Sequence, residues 1–389
     1  AVPTQAAATS SGPPGPASVA ASATPAAATK APIVLGHIGD YSGVVGTVLK
    51  GGNVMAQVVA RYINDHGGLD GHPVQLVSAD AGGDPSRALS LVRDMVETKG
   101  VVAFVGNAWV FSAYGPREYL DARKIPVIGG DSTTRVWFES PMYFPSSASF
   151  PAMSFGALKG LVDAGKKKVG VLYCVEAEQC KVWYDTAVAK AAGVGAQIVY
   201  AAQVSLAQPD FTAECISAQR NGAEGIMVGL DSPSLVRFAR ACAQQGYKPQ
   251  LVNATLAVTE AAAKDEATQG LMAVVGTFPH MVDDTPEAKE YQTAIRHYAP
   301  GLTSSPTTST VWVAGALLRA VGKKLPPDKV TSADFFPGLY SIKNNTLGGL
   351  VGPLTFNEGK AANQINCVFA LKVVGGKYTA PDGSKQQCF

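Results

Sequence analysis

Charge is scarce in this chain. Only 16% of its 389 residues are Asp, Glu, Lys or Arg, against about a quarter in an ordinary globular protein. The 32 basic and 30 acidic side chains leave a formal net charge of +2. A balance that close to neutral offers no basic face able to neutralise several phosphates, which excludes nucleic acid as an electrostatic partner. No run of 18 apolar residues occurs, so no segment reads as a membrane-spanning helix. The signatures HExxH, G-x-x-x-x-G-K-[ST] and GxGxxG after a strand are missing. Gly39-Asp-Tyr-Ser-Gly43 has its Ser fourth rather than central, so it is no nucleophile elbow. Five scattered histidines (His37, His66, His72, His280, His297) lack metal-ligand spacing, and the cysteines include no CxxC pair. The expectation is a protein that is not an enzyme, with neither cofactor nor metal.

Apolar material, by contrast, is ample. A 47% hydrophobic share over this length supports two domains, each with its own core, and excludes disorder of the whole chain. Residues 1–31 are the exception. Of the first thirty, 26 are Ala, Pro, Ser, Thr or Gly, and five prolines (Pro3, Pro13, Pro14, Pro16, Pro25) forbid a continuous helix. The segment reads as a disordered Ala/Pro/Ser/Thr end, either without a role or serving as a tether to a membrane or cell wall. No charged region followed by an apolar one opens it, so a signal peptide is expected to lie upstream and to be removed. A lipid-bearing Cys just ahead of Ala1 suits the tether reading.

Six cysteines remain to be placed. Their spacing suggests three local disulfides, Cys174–Cys180, Cys215–Cys242 and Cys367–Cys388, although fifteen pairings are formally open and six free thiols are the other reading. With the tail, they favour an oxidising, extracytoplasmic setting.

From residue 32 strands and helices alternate. Strands are expected at 33–38, 74–77, 101–105 and 125–128, and again at 168–173, 196–200, 225–229 and 250–253. Between the first two, Val54, Met55, Val58, Val59, Tyr62 and Ile63 share a helical face that ends at Gly67-Gly68, where a left-handed cap needs glycine. Asp84 followed by Pro85 marks the next helix start. Apolar strands without polar alternation, separated by helices, indicate parallel sheets covered on both faces. Two runs of four such units give two doubly wound lobes, whose strand carboxyl ends face a shared cleft.

Several segments resemble the type I periplasmic solute-binding proteins, the Leu/Ile/Val-binding group. They are Ile63-Asn-Asp-His-Gly-Gly-Leu-Asp-Gly71, Asp84-Pro-Ser-Arg-Ala88 leading to Val101-Val-Ala-Phe-Val-Gly106, Ile125-Pro-Val-Ile128 with Gly129-Gly-Asp-Ser-Thr133, and Gly352-Pro-Leu-Thr-Phe356. The likeness runs from residue 32 to 389. It implies an α/β fold of two doubly wound parallel-sheet lobes joined by three hinge crossovers, the N-lobe being 32–146 plus 281–355 and the C-lobe 147–280 plus 356–389. It also implies an extracytoplasmic monomer that closes on a small ligand and hands it to an ABC permease with its ATPase. The family's usual cysteine pair in the N-lobe has no counterpart, and the three pairs proposed above all fall in the C-lobe.

A carboxylate ligand wants backbone N–H groups and hydroxyls at strand ends. The resemblance assigns the head group of an amino acid to Asn107, Ala108, Asp131 and Thr133; Ser132 stands beside them, and Ser132 and Thr133 equally suit a helix cap. Tyr41 and Trp109 are candidates for an apolar wall or simply for the core. Thr255 stands where amino-acid binders carry an acidic residue, and Asp231 where a tyrosine is usual. Asp231 or Asp131 is left as partner for a ligand ammonium, with helix capping as the other role for Asp231, since Pro233 follows. Tyr173, Glu176 and Phe278, near lobe-facing strand ends, complete the candidates. The expected ligand is a branched-chain or other apolar amino acid; without an acidic partner in the cleft it becomes an aromatic acid, keto acid or amide. A ligand-sensing receptor or regulator on the same fold is the rival reading, but it needs a membrane span or a DNA-reading helix-turn-helix that this sequence does not show.

Overall fold

The computed structural model describes residues 29–43 and 45–389; the tether expected over 1–31 lies outside them except for its last three residues. Those belong to the folded body. Lys30 N donates to Gly71 O at 3.0 Å, and Ala31 O accepts from His72 Nδ1 at 2.7 Å.

The first lobe is built on β1 (Ile33–Gly39), β2 (Val74–Asp80), β3 (Ala103–Asn107), β4 (Val127–Gly130) and the two-residue β5 (Tyr143–Phe144). All pairs are parallel, in the order β2-β1-β3-β4-β5. Between the strands run α1 (Gly46–Leu49), α2 (Gly51–Asp65), α3 (Pro85–Glu97) and α4 (Arg117–Arg123). The sequence signals for two of these hold. Gly67 and Gly68 take φ of 90° and 76° after α2, which only glycine adopts cheaply. Asp84 caps α3 by accepting from Ser86 N at 2.8 Å and Arg87 N at 3.1 Å. Asp84→Ala is expected to cost about 1 kcal/mol of stability, read as a lower denaturation midpoint with an unchanged slope.

The second lobe follows with α5 (Phe150–Asp163), β6 (Lys168–Cys174), α6 (Glu178–Ala191), β7 (Gln197–Val204), α7 (Thr212–Arg220), β8 (Gly225–Gly229), α8 (Ser232–Gln244), β9 (Gln250–Ala254), α9 (Glu260–Lys264) and β10 (Met272–Val275). The chain then returns to the first sheet with α10 (Pro286–Tyr298), α11 (Pro306–Val321) and α12 (Phe336–Ser341), α11 packing on β3, β4 and α2. It ends in the second lobe with β11 (Cys367–Val374), β12 (Lys377–Thr379) and β13 (Gln387–Cys388). The second sheet runs β12-β11-β10-β9-β8-β6-β7, with β13 on β11. It is therefore not the plain four-stranded parallel sheet expected: β10 adds a parallel strand, and β11, β12 and β13 pair antiparallel.

Three passes join the lobes, and backbone hydrogen bonds lace them together. Ala148 N donates to Gly276 O at 2.9 Å, Ser149 N to Ile365 O at 3.0 Å and Phe278 N to Leu350 O at 2.9 Å. Gly276 is required for this close approach, because a Cβ there would stand 2.3 Å from Ser147 Oγ and 2.9 Å from Ala148 N. All three expected disulfides are present, tying β6 to α6, α7 to α8 and β11 to β13. No helix among the described residues is long and apolar enough to cross a membrane.

Candidate functional site: a cavity between the lobes

The carboxyl ends of the strands converge on a cavity of about 70 Å³. From the first lobe come Val45 after β1, Val110 and Phe111 after β3, and Thr133 after β4. From the second come Phe150 at the start of α5, Cys174, Glu176, Ala177, Gln179 and Cys180 around the start of α6, Trp183 of α6, Leu206, and the residues that end β8 and β9 (Gly229, Leu230 and Asp231; Ala254, Thr255 and Leu256). A larger hollow of about 1020 Å³ lies elsewhere, beside α8 and the turn at 264–271. It is walled by the second lobe alone and by no strand carboxyl end, which leaves the smaller cavity as the candidate site.

Two carboxylates, the fully buried Asp40 and the half-buried Asp131, shape the first-lobe rim. Asp40 Oδ2 accepts from Phe111 N at 2.8 Å, while its Oδ1 accepts from Ser112 Oγ at 2.6 Å and Gly83 N at 3.0 Å. Asp131 Oδ1 accepts from Thr133 N at 3.0 Å and Thr133 Oγ1 at 2.5 Å, a two-residue turn that aims Thr133 at the cavity. Burial pushes the Asp131 carboxyl above the usual carboxylate range, and the two bonds from Thr133 oppose this.

The expected site residues divide into three groups. Thr133, Glu176, Asp231 and Thr255 reach the wall. Asp231 also caps α8, its Oδ1 accepting from Ser234 N at 3.1 Å, so its expected capping role holds, and its Oδ2 makes no hydrogen bond among the described residues. Thr255 Oγ1 has only Met153 Sδ at 3.4 Å. Tyr41 and Asp131 stand one layer back, Tyr41 packing with Val45, Leu49, Ala108 and Val110 while its hydroxyl meets His37 Nε2.

The remaining six sit elsewhere. Asn107 Oδ1 accepts from Ile38 N at 2.9 Å, and Ala108 N donates to Ile38 O at 2.9 Å, so these groups extend the β1–β3 pairing instead of facing a ligand. Trp109 is core, fully buried between Phe104 and Tyr143. Ser132 Oγ turns back to Gly130 O at 3.3 Å and caps no helix; the 3-10 turn Arg135–Phe138 begins after Thr134. Tyr173 stacks on Tyr184 with centroids 4.8 Å apart, and Phe278 is buried edge-on against Tyr291.

Missed by the sequence reading are the aromatic faces Phe111, Phe150 and Trp183 and, beside the expected Glu176, the wall residues Ala177 and Gln179. The one available signal was position, since each follows a strand end or a crossover. Together the walls present a largely apolar space bordered by the Thr133 and Thr255 hydroxyls and by two carboxylate residues, Glu176 and Asp231. The two cysteines in the wall are joined to each other.

Two α/β lobes, three laced crossovers and a cavity at the facing strand ends define a hinged two-lobe binding fold. Residues 32–377 match the periplasmic binding protein family, and the chain belongs to that family. Among solved structures it is similar to a possible leucine/isoleucine/valine-binding protein from Rhodopirellula baltica, at 17% identity, TM-score 0.78, over 92% of this chain and 98% of that one. A leucine-binding protein from Thermotoga maritima is 16% identical with TM-score 0.74, over 90% and 97% of the two chains. An ABC-transporter solute-binding protein from Rhodopseudomonas palustris, solved with benzoate, is 14% identical with TM-score 0.73, over 92% and 98%. At such identity these likenesses speak for the fold. No curated protein matches the chain in sequence.

Proposed function

We propose that this chain is the extracytoplasmic solute-binding component of an ABC importer. It captures a small, largely apolar molecule bearing a carboxylate, closes on it as a monomer, and delivers it to a permease driven by an ATPase. The observation that supports this most is a cavity walled from both lobes, with Thr133 on one side and Asp231 and Thr255 on the other. The lobes in this reading are 32–146 plus 281–355 and 147–280 plus 356–389, turning about the three laced crossovers. Each disulfide then lies inside one lobe and leaves the hinge free. The Ala/Pro-rich segment ahead of residue 29 provides the link to a membrane anchor.

Asp231 decides the ligand class. Its uncommitted oxygen on the cavity wall suits a ligand ammonium, which favours a branched-chain or other apolar amino acid. The leucine-binding and benzoate-bound structures mark the two classes to compare. A thermal-shift panel of leucine, isoleucine, valine, benzoate, keto acids and short amides tests this. A ligand at a hundred times its Kd adds about 2.7 kcal/mol, a shift of a few degrees. Stabilisation by the aliphatic amino acids makes Asp231 the ammonium partner. Stabilisation only by benzoate or keto acids leaves Asp231 as a helix cap and moves the substrate to acids without an ammonium. No shift with any compound contradicts the assigned ligand class.

A further inference from the structure

The cavity shares a wall with a second, outer hollow of about 450 Å³. Five residues face both spaces: Val110, Phe111, Glu176, Ala177 and Gln179. Along this edge the residues that line the ligand space also line the outer hollow. The edge is made by the two lobes jointly, and hydrogen bonds cross it. Gln179 Nε2 donates to Val110 O at 3.1 Å, a buried contact. Beside it the Glu178 carboxylate accepts from Arg135 Nε and Nη2 at 3.2 Å each and from the Tyr114 hydroxyl at 3.2 Å.

What holds Glu178 and Gln179 in place is covalent. Both open α6, whose preceding residue, Ala177, has no side chain able to cap the helix. The Cys174–Cys180 disulfide closes the loop around that uncapped first turn, and both its residues line the cavity.

We propose that the disulfide-closed loop 174–180 is the gate of the binding cavity. Gln179 and Glu178 latch it to Val110, Tyr114 and Arg135 of the opposite lobe, and release of that latch joins the cavity to the outer hollow and lets the ligand pass. The disulfide positions the latch, so its loss speeds ligand release without changing the fold. This rests on the reading of the cavity as the ligand site.

The test uses the full chain and two readouts. Hydrogen exchange of the ligand-free protein follows segments 108–114 and 174–180 in Gln179→Ala, in Glu178→Ala and in the Cys174→Ser/Cys180→Ser double variant, with Cys215→Ser/Cys242→Ser as control. Breaking a buried bond at the latch is expected to speed exchange about tenfold in both segments, with β10 and β11 unchanged and the control at the wild-type rate in both segments. Stopped-flow with leucine and with benzoate, using whichever stabilises the wild type, is expected to show a similar rise in off-rate and an on-rate within about twofold, since such changes fall mainly on dissociation. Arg135→Glu behaves like Glu178→Ala, and combining it with Glu178→Arg restores the wild-type rates. Unchanged exchange in both segments overturns the gate. Faster exchange with neither compound bound supports the gate and sinks the ligand reading, whereas normal binding with unaltered exchange and off-rate does the reverse.

Discussion

Thr255→Phe is expected to abolish ligand binding while leaving the melting temperature of the empty protein within a degree or two. Thr255 follows β9 and faces the cavity, and its hydroxyl has no protein partner beyond the Met153 sulfur at 3.4 Å. Losing that hydroxyl therefore leaves no buried group unpaired, the usual source of a large stability loss. A phenyl ring has somewhere to go, namely the cavity of about 70 Å³, so the overpacking penalty of a filled core does not arise. The ligand has no such alternative. Affinity for a compound that stabilises the wild type should fall by more than about a hundredfold, roughly 2.7 kcal/mol, measured by calorimetric titration. Normal affinity in the variant places the ligand elsewhere.

Acidification from pH 6.5 to 4 is expected to remove a large part of the folding free energy, and two histidines are responsible. His37 is fully buried in β1, where its Nδ1 meets Val105 O at 2.9 Å and its Nε2 the Tyr41 hydroxyl. Burial lowers its pKa to about 4, with the Val105 carbonyl opposing. His280, in the second crossover, is 9% exposed, its Nδ1 has no partner, and burial again lowers its pKa to about 4. Well above pH 6.5 both imidazoles are neutral whether the chain is folded or not, so they add no pH dependence there. Below it the unfolded chain takes up protons first, and stability falls until the folded values near 4 are passed. Each histidine contributes a loss of about 3 kcal/mol over that window. Asp131 acts in the opposite sense, because its raised pKa lets the folded state take up a proton before the unfolded one. Urea titrations at steps between pH 7.5 and 4 read the slope, and His37→Gln should remove about half of it. A flat profile refutes the assignment.

Where a local chemical reason was written into the chain, the structure follows it. Asp84 with Pro85 starts α3, Gly67-Gly68 ends α2, and each disulfide joins cysteines close in sequence. The second sheet was less legible because β11 pairs with β10, about a hundred residues earlier, and no local pattern announces that partner. The site was half legible. Thr133, Asp231 and Thr255, at strand ends, border the candidate cavity, yet at an equally plausible strand end Asn107 Oδ1 and Ala108 N are taken up by Ile38. Spacing shows that a peptide group ends a strand, not which neighbour already holds it. Trp109 and Trp183 make the same point, since both look alike as buried aromatics and only the second borders the cavity.

The most direct measurement is a crystal structure of the chain grown with the panel compound that stabilises it most. The account predicts one molecule between the lobes, its carboxylate at the Thr133 end and its apolar body against Phe111, Phe150 and Trp183, with Gln179 still bonded to Val110. Density for that compound in the hollow beside α8, or on one lobe with the inter-lobe cavity empty, would contradict it.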